Sequence, residues 1–326
     1  MKAIVTRLLP DKRREKVLVD GWPEPKGPTG RQVKTRTLYS GVTNGTERND
    51  LMRGNYAHRD EDLPAGWGYQ NVGEVIAVGP DVRTLKLGDH LFMSQDHVEY
   101  CVTDEDGLLV KLPDEVDRRE AALFGMASVA MRSCRNADLR MGQRFLVVGA
   151  GFIGQLAAQI ANVMGARVTL VDLDDRRLDV ARKLGAAEEV FNVSGDGWAK
   201  HIGQWDAAWC PEGRFDAVLD VAGAAGMEDK LLGAAKCRGT VLFIAGRGDV
   251  RYTFNRGQCR EITIKQNGHF DRFELGELCR LVARGMVKIG PLVQDVVPAG
   301  EARRIYGTLR DEPARLLGTV FDWKGV

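Results

Sequence analysis

The chain is poor in the residues that hold metals and staple small domains. It has six cysteines in 326 residues: Cys101, Cys134, Cys210, Cys237, Cys259 and Cys279. No two form a CxxC pair, which argues against a zinc lobe and against a disulfide framework. Each is expected to be a small buried apolar residue. The five histidines, His58, His90, His97, His201 and His269, show no HxH or HxxxH pattern, so no metal site is read from them. His97, in "DHVEYCV", is expected at a strand edge. Net charge is almost absent, at +1, which argues against a nucleic-acid or anionic-membrane surface. The one basic run, "DKRREK" (Asp11 to Lys16), is expected to be a solvated turn. No apolar run approaches the roughly 18 residues of a membrane span. The opening residues, broken by Lys2, Thr6 and Arg7, lack a signal peptide's apolar core. These absences lead to the expectation of a soluble, cytoplasmic protein with a small-molecule substrate and neither nucleic acid nor membrane as partner.

A chain of this length is comfortable for two domains. Its first third is β-rich: "KAIVTRL", "KVLVD", "RQVKTRTLYSGV", "NVGEVIAVG", "DHLFM" and "HVEYCVT" are short runs of β-formers divided by Gly and Pro clusters. A helical stretch follows, with apolar residues at helical spacing from Ala121. From Arg144 strands alternate with helices of about 10–15 residues, the pattern of a parallel, doubly wound sheet. In that half "MEDKLLGAAKCRG" is expected to be helix and "TVLFIAG" and "EITIKQNG" strands. The expected fold class is α/β, with a β-rich domain at 1–122, a dinucleotide-binding domain at 123–268 and a C-terminal segment, 269–326, returning to the first.

"VVGAGFIG" gives Gly149, Gly151 and Gly154 in GxGxxG spacing, after an apolar strand and opening a helix. Gly149 permits the tight turn, Gly151 lets the backbone approach a pyrophosphate, and Gly154 lets helix pack on strand. The pyrophosphate would meet free N–H groups at the helix start, where Phe152 and Ile153 join the expected cofactor site. Asp172 ends the next strand and is placed to accept from the adenosine ribose, so NAD is expected over NADP. Arg177, beside it, can offset the repulsion from neighbouring acids. Val221, in "DVAG", and Ala245, in "IAGR", lie at the carboxyl ends of later strands, where ligands sit in such sheets. Arg247 is either a cofactor or substrate contact or a solvated loop arginine.

The motifs "GEVIAVGPDV", "LKLGDHLF", "VVGAGFIG", "VDLDDRRLDVARKLGA" and "GTVFDW" resemble the medium-chain dehydrogenase/reductase superfamily over nearly the whole chain. The resemblance implies a GroES-like catalytic domain, a Rossmann domain and a homodimer joined at the strands "TVLFIAG" and "EITIKQ". "SGVTNGTERNDLMRG" is similar to the branch that includes bacteriochlorophyllide hydroxyethyl dehydrogenase-like proteins, and "RGNY" to zinc-free quinone oxidoreductases. Where family members carry catalytic zinc ligands, this chain has Thr43, then Gly68–Tyr69–Gln70, then Gly125. None suits Zn²⁺, which wants thiolate, imidazole or carboxylate. Only "MSQD" stands where a structural zinc lobe would be. Neither zinc is therefore expected.

Without zinc, a developing alkoxide needs other donors. Tyr69, standing at a ligand position, is a candidate proton donor if its phenol pKa is lowered; otherwise it is a wall of the pocket. Thr43, Glu47 and Tyr56 are the other catalytic candidates, with a strand hydroxyl and a helix-start carboxylate as the plain alternatives for the first two. Asn44, Gln70, Asn71 and His269 are expected substrate contacts. The polar set points to a zinc-independent, NAD(H)-dependent oxidoreductase for a secondary alcohol or its ketone, with a sugar- or cyclitol-like substrate. A quinone or enone reductase, and a non-catalytic NAD(H)-binding sensor or structural protein, stay open.

Overall fold

The structure, a computed structural model, describes residues 1–203 and 213–325; Cys210 lies outside them. The chain forms two compact units. One comprises Met1–Gly125, Asp271–Gly285 and Leu292–Val326, the other Met126–Phe270 and Met286–Pro291. In chain order the first unit's strands are β1 (Ala3–Leu8), β2 (Arg14–Val19), β3 (Gln32–Gly41), β4 (Ala65–Gly66), β5 (Asn71–Val78), β6 (His90–Met93), β7 (Tyr100–Asp104) and β8 (Leu109–Lys111). The second unit holds β9 (Arg144–Val148), β10 (Arg167–Asp172), β11 (Glu189–Asn192), β12 (Phe215–Asp220), β13 (Ala235–Phe243) and β14 (Thr263–Lys265). Then β15 (Asp295–Pro298) and β16 (Thr319–Asp322) belong to the first unit again. Helices are α1 (Asn44–Leu51), α2 (Arg118–Ala121), α3 (Phe124–Asn136), α4 (Phe152–Val163), α5 (Asp175–Leu184), α6 (Gly197–His201), α7 (Glu228–Ala234), α8 (Phe254–Gln258), α9 (Arg272–Ala283) and α10 (Ala302–Asp311).

In the first unit β2-β1-β4 form a small sheet, and β15-β16-β3-β5-β6-β8 a large one, with β7 also on β3. Antiparallel pairing sets Ser40 against Asn71, and the Gly41 amide donates to the Gln70 carbonyl at 3.0 Å. That register brings the Gly41–Thr43 exit of β3 beside the Gly68–Gln70 entry to β5. Alternate residues of the strands, among them Ala3, Val5, Val33, Val75, Leu91 and Met93, fill one apolar core. A second core joins Ile4, Val42 and Leu51 to Ile305, Tyr306 and Leu309 of α10 and to Phe321 and Trp323.

The second unit is a parallel sheet ordered β11-β10-β9-β12-β13-β14, the doubly wound order in which strand addition switches sides of the sheet between β9 and β12. Of the two strands expected at its edge, β14 is the edge and β13 lies inside it. The helix expected over 227–239 ends early, at Ala234, and β13 begins at once. The carbonyls released there find other donors. Arg260, itself buried, donates to the Gly233 and Ala235 oxygens at 2.9 and 3.1 Å, and the Arg214 amide donates to that of Ala234 at 3.0 Å. With the helix end satisfied in this way, nothing requires it to continue.

Two further expectations are corrected. Cys101, Cys134 and Cys279 are buried, but Cys237 and Cys259 are exposed. The basic run is a solvated turn only over its first half, where Asp11, Lys12 and Arg13 are exposed; Arg14 and Lys16 lie in β2 with side chains 2% and 1% exposed. They are drawn inside by Asp50 on α1. Its carboxylate receives Lys16 Nζ at 2.8 Å and Arg14 Nη1 at 3.1 Å. Among the described residues, no helix is long and apolar enough to cross a membrane.

Candidate active site

The second unit builds a dinucleotide cradle at the start of α4. Gly149 has φ +109°, and a Cβ at Gly154 would stand 1.8 Å from the Gly149 carbonyl oxygen. Both glycines are thus dictated by the protein's own packing. Gly151 is not: a Cβ there would meet nothing nearer than Arg177 Nη1, at 4.0 Å. The open space over Gly151, at the N-cap of a 12-residue helix, fits a group that must approach the backbone. Val221 packs against this turn, with Cγ2 3.1 Å from the Cβ positions of both Gly149 and Gly154. Ala245 packs on Gly223 in the neighbouring loop.

Asp172 is tied to the same turn. One oxygen accepts from the Ala150 amide at 2.6 Å, the other from the Leu173 and Asp174 amides at 2.7 and 2.9 Å. Arg176 pairs with Asp174 at 2.7 Å, while Arg177 reaches the glycine loop. Arg247 is not a solvated loop residue. It is 12% exposed, pairs with Asp220, and lies 3.3 Å from Glu228. Asp220 in turn receives the Ala222 and Gly223 amides, both at 3.0 Å, so the ion pair holds the β12 loop. His269 is exposed and stacks on Phe270 at 4.3 Å.

In the first unit the three segments aligned with zinc ligands converge. Gln70 Nε2 donates to Thr43 Oγ1 at 3.0 Å and to the Gly41 carbonyl at 3.2 Å. A Cβ on Gly125 would stand 2.8 Å from the Tyr69 ring and 2.7 Å from Gln70 Cγ. The ring of Tyr69 therefore takes the room that a side chain at 125 would need. What faces inward is a hydroxyl, a phenol and an amide, a donor set that does not fit zinc. Burial pushes the Tyr69 phenol up to about 12; nearby Glu47 also raises it, while hydrogen bonding with Thr43 and Thr46 pulls the other way. The lowered pKa expected of a proton-exchanging tyrosine is thus reversed, because desolvation outweighs the hydroxyl partners.

Glu47 is fully buried and wholly engaged. Its Oε1 accepts from the Thr43 amide at 3.0 Å and faces His97 Nε2 at 3.1 Å; its Oε2 accepts from the Tyr306 hydroxyl. Burial disfavours its charge, but His97, Lys16 and the Tyr306 hydroxyl hold the carboxyl below the ordinary value. It is an ionised anchor rather than a proton donor. Asn71 is buried and donates to Thr37 Oγ1 and the Asp96 carbonyl, both at 3.0 Å. Asn44 spends its amide on the Leu316 and Leu317 carbonyls, at 3.0 and 3.2 Å. Tyr56 is half exposed, with its amide on Asn49 Oδ1 at 2.9 Å, and is not drawn into the Thr43–Tyr69 group.

Four residues of this neighbourhood were not anticipated: His97, Ser40, Tyr306 and Trp323. His97 is buried rather than at a strand edge, because Glu47 and Ser40 take both its ring nitrogens. Tyr306 meets Glu47 across 259 positions of sequence. Only the i, i+3, i+4, i+7 spacing of Ala302, Ile305, Tyr306 and Leu309, the buried face of α10, gave a local signal.

Comparison with known proteins agrees with this architecture. Residues 153–283 match the family model described as "Zinc-binding dehydrogenase". The chain is similar to a D-xylulose reductase of Saccharomyces cerevisiae, 24% identical over 317 residues that cover 85% of this chain and 87% of that one. It is also similar to an L-threonine 3-dehydrogenase of Deinococcus deserti, 28% identical over 279 residues, covering 74% and 77%. A 2R,3R-butanediol dehydrogenase from Bacillus subtilis shares the fold with a TM-score of 0.79 at 19% identity, over 99% of both chains.

Proposed function

We propose that the chain is a member of the medium-chain dehydrogenase/reductase superfamily, as its likeness to these relatives supports, and that it is an NAD(H)-dependent oxidoreductase that interconverts a secondary alcohol and its ketone without catalytic zinc, on a polyhydroxylated substrate. The observation that carries this reading is the meeting of Thr43, Tyr69 and Gln70 at the aligned ligand positions, with Tyr69 filling the space beside Gly125. The zinc-lacking branch of the superfamily is the assignment it favours.

When bound, the nicotinamide gives or takes the hydride. The rest falls to the chain. The glycine turn and the α4 N-terminus hold the pyrophosphate, and Asp172 favours a ribose with free hydroxyls over one carrying a 2′-phosphate. With its pKa near 12, Tyr69 keeps its proton at neutral pH and donates to the oxygen where negative charge develops. Thr43, fixed by Gln70, offers a second hydroxyl to the same oxygen. Tyr69→Phe is expected to lower kcat about 10²-fold, the usual loss for one such donor, with cofactor affinity unchanged. A variant within twofold of wild type would make Tyr69 a wall residue.

The metal question is settled by assay. Enzyme treated with a chelator and dialysed is expected to oxidise polyols with NAD⁺ as well as untreated enzyme. Activity lost on chelation and restored by zinc would overturn the metal-free reading. Rapid NADPH oxidation by quinones, with no alcohol turnover, would move the assignment to a quinone reductase.

A further inference from the structure

We propose that His97 is a positioning residue for this reaction: one buried imidazole fixes both Thr43 and the Gly68–Gln70 turn. The proposal rests on the reading above and adds a residue that touches neither substrate nor cofactor in it. His97 reaches the Thr43 side through Glu47. Its Nε2 lies 3.1 Å from Glu47 Oε1, the oxygen that also receives the Thr43 amide at 3.0 Å. It reaches the other side directly. Its amide donates to the Trp67 carbonyl at 3.2 Å, and its ring lies under Gly68, where a Cβ would come within 2.9 Å of Cδ2. Gly68 has φ +136°, a conformation that favours glycine, so the turn is shaped to sit on this ring.

The second ring nitrogen is also spoken for. Nδ1 lies 2.7 Å from Ser40 Oγ, and Ser40 Oγ accepts from Trp323 Nε1 at 2.8 Å. The ring edge packs on Phe321, with centroids 5.8 Å apart. His97 thus has no free nitrogen for acid–base work and no room to turn. Glu47, fully buried, is shared among the Thr43 amide, His97 and the Tyr306 hydroxyl, and taking one donor from a buried carboxylate is costly. Nε2–H is one of those donors. Without it, Glu47 would loosen its hold on the Thr43 amide, and Thr43 and Gln70 would lose their fixed partnership.

The test compares His97→Leu, His97→Gln and His97→Asn in the full chain. Gln can return a donor to Glu47; Asn reaches only the Ser40 side. Misplacing a reacting group by about 1 Å can cost about 10²-fold, so His97→Leu is expected to lower kcat about 10–100-fold, with KM and Kd for NAD(H) unchanged. Gln is expected to recover most of that loss and Asn little of it. Wild-type kcat in the Leu variant, or Gln no better than Asn, would overturn the proposal. If the Leu variant does not fold, the Gln-against-Asn comparison decides alone. Amide exchange read by mass spectrometry separates this idea from the functional reading, because it needs no turnover. Faster exchange in the 40–47 and 66–71 segments of the Asn variant, but not the Gln variant, is expected. Unchanged exchange in both would sink the positioning role, whereas a wild-type enzyme inert to every alcohol and ketone would sink only the functional reading.

Discussion

Asp50→Leu is expected to destabilise the first unit by about 3–5 kcal/mol, the usual cost of removing one partner from a buried ion pair. The Asp50 carboxylate is 0% exposed and is the meeting point of Lys16, Arg14, Thr6 and the His58 amide. Arg14 would keep Asp60 and the His58 carbonyl. Among the described residues Lys16 would then have no carboxylate within hydrogen-bond distance: it would keep the Thr6 hydroxyl, at 2.6 Å, the faces of Trp67 and Tyr306, at 5.3 and 5.7 Å, and a longer-range attraction to Glu47 and Asp96. Most of the loss is therefore the stranded ammonium. The double variant Lys16→Met, Asp50→Leu is expected to regain much of it, since apolar replacement of a whole buried pair is often nearly neutral. Urea unfolding of the four members of the cycle measures the coupling. A single-variant loss under about 1 kcal/mol would show that the pair contributes no more than a surface one.

The same carboxylate shapes the acid limb of stability. Burial disfavours its charge, but Lys16, Thr6 and the His58 amide hold the pKa below the ordinary 3.8. A depressed folded-state value adds stability that is present above the unfolded pKa and lost as pH falls through the folded one. Asp50→Leu should accordingly flatten the loss of stability below about pH 4.

Gly154→Val carries the second large effect. The first atom of the new side chain would stand 1.8 Å from a backbone carbonyl oxygen and 3.1 Å from Val221 Cγ2. A carbonyl cannot swing aside as a flexible side chain can, so α4 must lift from β9. A cost of about 3 kcal/mol or more, at the upper end for overpacking, is expected in the unfolding midpoint, together with loss of measurable NAD(H) binding. Gly151→Ala is the contrast. Its methyl has open space within the protein, so the midpoint should hold while cofactor affinity falls. Fluorescence titration with NADH separates the two. Equal behaviour of the variants would refute the division of labour between the glycines.

The architecture was legible in the sequence wherever periodicity and glycine agreed. The strand–glycine–helix run around Gly149 to Gly154 and the βα alternation from Arg144 both appear in the folded chain. Helix α1 is legible only at its start, where Glu47 has the alternative reading of a helix-start carboxylate, and the reason is physical. "NGTERNDL" has one large apolar residue, and the face it buries is Glu47, Asp50 and Leu51. A helix that turns charge inward shows no apolar stripe, and its partners, Lys16, His97 and Tyr306, lie far away in sequence. Ion-pair burial also disguises the start of β2, which reads as strand only from Lys16 in "KVLVD", because Arg14 and Lys16 look like surface. Thr43, Tyr69 and Gln70 were singled out as residues standing where ligands were missing, and they do meet. The sequence could not show that Tyr69 fills the space beside Gly125, or that its proton would be held more tightly rather than less.

Asp172 has a consequence for anyone wishing to re-engineer cofactor preference. Replacing this acid to admit a phosphorylated ribose treats it as a specificity label on the surface of the sheet. Here it is also a fastener: three main-chain amides, of Ala150, Leu173 and Asp174, close on its two oxygens. Under the proposed preference for NAD(H), selectivity and loop order are written in one side chain, and a redesign must furnish new acceptors for those amides before it can rewrite the preference.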